Sequence, residues 1–139
     1  MRDRENTQIK PPNTYRIVLI GGSHDQGSAV KDNETYENLV EDRLNAKAPD
    51  QHYSRYEILN LSQGGTGILQ RLLRFEQQGF QFAPDFGLFS IAAHDPEFLV
   101  EHLRKVVTLG VKPPADYREI FERTVGKAHI HGKMPDAMI

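Results

Sequence analysis

The sequence contains no cysteine, which excludes disulfides, thiolate metal sites and cysteine nucleophiles together. The compartment stays open, because exported proteins often lack cysteine too. Long apolar runs are missing as well: the longest, Ile17 to Ile20, is far too short to span a membrane. Neither sign of charge dominates. With 17 basic and 19 acidic side chains the formal charge is -2, so no basic stripe is at hand to neutralise a phosphate backbone, and nucleic acid is not an expected partner. The opening Met1-Arg-Asp-Arg-Glu-Asn6 is charged, with no apolar segment behind it, and does not read as a signal peptide.

What is present is a chain of 139 residues, 38% of them apolar, enough for one compact domain burying roughly two-thirds of its unfolded surface. Residues 1–14, closing on Lys10-Pro-Pro-Asn-Thr14, read as an extended lead-in. Tyr15 to Ile20 is predicted as a first strand, running straight into Gly21-Gly22-Ser23-His24. Asp32-Asn33 offer N-caps for a helix with Tyr36, Leu39, Val40 and Leu44 on its inward face, ending near Ala48-Pro49. Tyr56 to Leu61 repeats the pattern: a strand, then Gly64-Gly65-Thr66-Gly67, then a helix whose Ile68, Leu69, Leu72 and Leu73 are core. Phe86 to Ala92 is nearly continuously apolar, as a strand covered on both faces is. Asp95 as N-cap and Pro96 at the first helical position open a third helix, with Phe98, Leu99, Leu103, Val106 and Val107 inward and Gly110 as its stop. Asp116-x-x-Glu119 marks a short further helix, and residues 126–139 form a loose tail. Three strand-turn-helix units in succession imply parallel strands with right-handed crossovers. The expected architecture over residues 15–125 is therefore α/β, a three-layer flavodoxin-like parallel sheet in the order 2-1-3.

In such a sheet the reacting groups lie at the carboxyl ends of the strands, which makes Ser23 a candidate nucleophile; taken alone, a serine in such a turn is more often a turn hydrogen-bonder. A phosphate loop is the competing use of glycine-rich turns. Gly22 and Gly27 have its spacing, but Ser28-Ala29 stands where the phosphate-binding Lys-Ser/Thr belongs, and Gly21-Gly22 opens no Gly-x-Gly-x-x-Gly fingerprint. A nucleotide-binding flavodoxin-like module is accordingly the weaker alternative, and no cofactor is expected. His24, Asp25, His94 and Asp95 would share one crevice, yet they lack any metal-ligand spacing and no metal is expected. The plainer readings make Asp25 an Asx-turn residue, Asp95 a helix cap, and His52 and His102 surface residues.

Three stretches together resemble the SGNH/GDSL hydrolases in their Gly-Gly-Ser variant. The family's first block is similar to Ile17-Val-Leu-Ile-Gly-Gly-Ser23, its second to Asn60-Leu-Ser-Gln-Gly-Gly65, and its third to Pro84-Asp85 through Ala92-Ala-His-Asp95. The likeness runs from about residue 10 to residue 125, the front half of the family's domain. It implies a serine ester hydrolase acting on acyl or acetyl esters of carbohydrates or lipids, with Ser23 as nucleophile and Gly65 as an oxyanion donor. His94 stands at the family's asparagine position, as oxyanion donor or as base. The family's late Asp-x-x-His has no counterpart, since His129, His131 and Asp136 come in the wrong order. An SGNH-like binding or scaffold domain without catalysis is the alternative this departure leaves.

Overall fold

The computed structural model describes Arg4, residues 6–110 and Glu119. The chain divides into two units, residues 1–95 and 96–139. The first holds a parallel sheet of β1 (Thr14–Ile20), β2 (Arg55–Asn60) and β3 (Phe86–Phe89) in the order β2-β1-β3. Helix α1 (Tyr36–Lys47) links β1 to β2, and α2 (Ile68–Gln77) links β2 to β3. Helix α3 (Asp95–Thr108) follows β3, and single 3-10 turns lie at Asp32–Glu34 and Gly79–Phe82. This is the expected α/β, flavodoxin-like arrangement. The short helix and tail expected beyond Gly110 fall outside the described residues, apart from Glu119.

Sequence alternation builds the core. In β1, Val18 and Ile20 face one side and meet Leu59 and Leu61 from the second strand, with Phe75, Phe82 and Phe89 packed against them. Leu19 and Ile58, of opposite parity, are also buried, so this half of the sheet is covered on both faces. At the amino ends of the strands the same inner face turns ionic. Arg16 is 0% exposed and its Nε donates to Glu57 Oε2 at 2.8 Å, while its Nη1 donates to the carbonyls of Gln8 and Phe82. The Arg16 backbone N–H donates to Asp85, which also pairs with Lys10. Those bonds hold the lead-in against the sheet.

Three expectations are corrected. The first concerns α1, whose Tyr36, Leu39 and Val40 are exposed, with Leu44 half-buried, while Glu37, Asn38 and Glu41 are buried. The reason is that α1 covers the open edge of β2. Asn45 Nδ2 donates to the Tyr56 carbonyl and its Oδ1 accepts the Tyr56 N–H, while Glu41 Oε2 accepts the Ile58 N–H at 2.7 Å. An edge strand presents unpaired backbone groups, and a helix that satisfies them needs polar side chains on its contact face. The second correction is α2, where Leu73 is exposed and Arg71 is the buried residue. The third is β3, which ends at Phe89 rather than Ala92 and leaves Phe86, Gly87 and Leu88 exposed rather than covered on both faces.

Candidate functional site

The β1 strand ends against two glycines because a side chain has no room there. A Cβ on Gly21 would overlap the Asp25 carboxylate, and one on Gly22 would lie 2.9 Å from Arg71 Nη2. The Asp25 carboxylate turns back to accept the Gly22 N–H at 3.0 Å and the Tyr36 hydroxyl at 2.9 Å, instead of forming the expected Asx turn with residues that follow it. Gln26 N–H closes on the Gly22 carbonyl, and the Ser28 N–H and hydroxyl both donate to the Ser23 carbonyl. Ser23 is thereby held at the apex of a rigid turn, exposed, at the carboxyl end of the central strand. Among the described residues its hydroxyl makes no hydrogen bond.

The turn after β2 packs onto it. A Cβ on Gly64 would lie 3.2 Å from Ser23 Cβ, a tight contact that a side chain could make only if the Ser23 turn gave way by a few tenths of an ångström. Two side chains fasten the turns together: Gln26 Oε1 accepts the Gly64 N–H at 2.8 Å, and Asn60 Nδ2 donates to the Asp25 carbonyl and to Glu37 Oε1, both at 2.7 Å. Gly65, at φ 72°, is exposed, and its N–H makes no hydrogen bond within the described residues.

The turn after β3 is tied in from below. Arg71 on α2 and Asp95 form a bidentate pair of 2.6 and 3.0 Å, with side chains only 7% and 1% exposed. Asp95 also accepts the Ala92 N–H at 2.7 Å, and Arg71 reaches the Ser90 carbonyl. Since the same guanidinium lies beneath Gly22, one side chain links the Ser23 turn to the turn carrying His94. The Asp95 carboxyl is held below the usual carboxylate range, chiefly by its hydrogen bond from Arg71, against the opposing effect of burial. Asp95 is thus an ion-pair partner rather than the plain helix cap expected. Both His94 and His24 are exposed.

Of the residues singled out in the sequence, Ser23, Gly65 and His94 therefore lie on three adjoining strand-end turns. The late candidates His129, His131 and Asp136 fall outside the described residues. His52 is exposed, as expected. Sequence reasoning missed Arg71, Gln26 and the clamping role of Asn60. Arg71 had left a signal: it follows Ile68 by three positions and precedes Phe75 by four, a charged residue on the inner stripe of its helix. Among the described residues no group of three or more His, Asp or Glu side chains is placed to hold a metal, and Asp25 and Asp95 are already committed to other partners. No helix among them is long and apolar enough to cross a membrane.

A cleft of about 400 Å³ opens beside Ser23 and His24, lined by residues 27–30 and 34–36. The Tyr36 phenol on its wall is pushed well above its ordinary range, first by burial and then by its bond to Asp25, so it remains a neutral hydroxyl at physiological pH. Compared with known proteins, the chain matches no family model and no curated sequence.

Proposed function

We propose that the protein is a serine ester hydrolase of SGNH type with Ser23 as its nucleophile. The observation that carries this is the exposed Ser23 at the end of the central strand, packed against a glycine turn and opening onto a cleft. In the reaction, Ser23 Oγ bonds to the acyl carbonyl carbon and its proton passes to a base. The oxyanion takes hydrogen bonds from backbone N–H groups at Gly65 and Ser23. Collapse breaks the bond to the alcohol, which leaves with that proton, and water then releases the acid and restores Ser23. His94 is the imidazole of this site, either as base or as oxyanion donor.

Labelling with a fluorophosphonate probe tests the assignment. Covalent modification that disappears in Ser23→Ala supports it, and an unlabelled, folded wild-type protein overturns it. His94→Gln separates the two roles, because an amide N–H donates to an oxyanion but cannot take a proton. Loss of labelling rate by a factor of ~100 or more marks a base; a loss of about tenfold or less marks a donor.

A second reading is a binding or scaffold domain of the same fold. It is favoured by the Ser23 hydroxyl making no hydrogen bond to a histidine among the described residues. Ligand binding unchanged by Ser23→Ala, with no ester turnover, would select it.

A further inference from the structure

Resting on the nucleophile reading of Ser23, we infer that the cleft beside it is an acyl pocket for an unbranched hydrocarbon chain, so that the substrates are esters of apolar acids longer than acetate. The argument lies in how the lining spends its polar atoms. Thr35 is 1% exposed, and its hydroxyl donates to the Asp32 carbonyl at 3.1 Å while accepting from Asn38 Nδ2 at 2.8 Å. The Tyr36 hydroxyl is committed to Asp25, and the Ser28 hydroxyl to the Ser23 carbonyl. With those groups bonded inside the fold, the exposed carbon surface of the lining belongs to Ala29, Val30 and Tyr36, Thr35 and Gly27 being buried.

Gly27 is the buried glycine of this lining. It sits at φ 71°, and a Cβ there would come within 2.5 Å of Thr35 Cγ2 and 3.3 Å of Val30 Cγ2, so the two methyls close over a backbone with no side chain. Glu34 and His24 complete the lining; both are exposed, and the Glu34 carboxylate lies 3.9 Å from Lys31 Nζ. Of the lining side chains, Ser23, His24 and Glu34 keep polar groups for a ligand, whereas the rest of the lining meets a hydrocarbon chain with carbon surface. The volume falls within the range of small-molecule sites, roughly 300–1,000 Å³. The acyl half is the one that belongs here, because it alone stays bonded to Ser23 through both halves of the reaction, and the alcohol must depart.

The test is a series of p-nitrophenyl esters from acetate to octanoate. Each added methylene is expected to raise kcat/KM roughly three- to fourfold until the cleft is filled, the gain for burying one CH2. Val30→Phe should collapse the hexanoate-to-acetate ratio to about one, and Val30→Ala should move the optimum to a longer chain. Leu39→Lys, on the exposed face of α1, should leave the ratio as in wild type. A wild-type optimum at acetate, or a Val30→Phe variant that slows every ester equally, overturns the pocket. Fluorophosphonate labelling of Ser23 separates this failure from failure of the nucleophile reading. If Ser23 is not labelled, binding of sodium octanoate to Ser23→Ala by calorimetry decides instead. Saturable binding that Val30→Phe abolishes supports the pocket, and absence of binding refutes it.

Discussion

Arg71 and Asp95 show how one buried charge pair sets the geometry of a site it does not enter. Removing one partner leaves the other charge buried and unpaired, which typically costs about 3 kcal/mol or more. Arg71→Met is therefore expected to lower the unfolding free energy by that amount in urea denaturation, although it puts an apolar side chain on an apolar stripe. Acid dependence follows from the same contact. The folded state holds the Asp95 carboxyl below its usual range, so it binds that proton less tightly than the unfolded chain does. The pair contributes fully above the unfolded value of about 3.9 and is lost as pH falls through the lower folded value. Asp42, Asp50 and Asp85 are also held low and share this acid limb. The quantity to measure is the difference in Tm between wild type and Asp95→Asn, which should narrow as pH falls below about 4. Gly22 belongs to the same contact: with Arg71 Nη2 only 2.9 Å from a Cβ there, Gly22→Ala should cost about 1–3 kcal/mol. Asp95 was legible as a residue of structural weight, but its partner lay 24 positions away and was not.

Helix α1 inverts the usual logic of amphipathic packing. Its apolar positions point outward because it seals a strand edge, where the groups to be satisfied are N–H and C=O, rather than a sheet face, where they are side chains. Hydropathy periodicity assumes the second case, which is why Tyr36, Leu39, Val40 and Leu44 misled. The contrast is measurable. Glu41→Ala orphans the buried Ile58 N–H and should cost about 2 kcal/mol, whereas Leu39→Lys on the exposed face should change stability by no more than ~0.5 kcal/mol. The opposite ranking in thermal denaturation would show that α1 packs by its apolar stripe after all.

In the first unit as a whole, stability is concentrated in the middle strand. Every backbone neighbour of β1 is a paired strand, and Val18, Leu19 and Ile20 are 0–1% exposed, while β3 pairs on one side only among the described residues. Amide hydrogen exchange should accordingly be slowest in β1, by on the order of a hundredfold relative to the exposed residues of β3. Equal protection in the two strands would contradict this. The order 2-1-3 followed from the flavodoxin-like pattern such units adopt, while the sequence by itself determined the three parallel strands and the glycine turns at their ends. Those are written in local signals: β-rich runs, chain-breaking glycines and the right-handed crossover they impose. Ser23 was visible for the same reason, since a strand stopping at Gly21-Gly22 must present whatever residue follows. Only the tertiary structure decided what α1 buries, that Arg71 and Asp95 join two of the turns, and that Gly64 lies against Ser23. These depend on contacts between residues far apart in sequence, whose partners are chosen by the geometry of the assembled sheet rather than by any local preference.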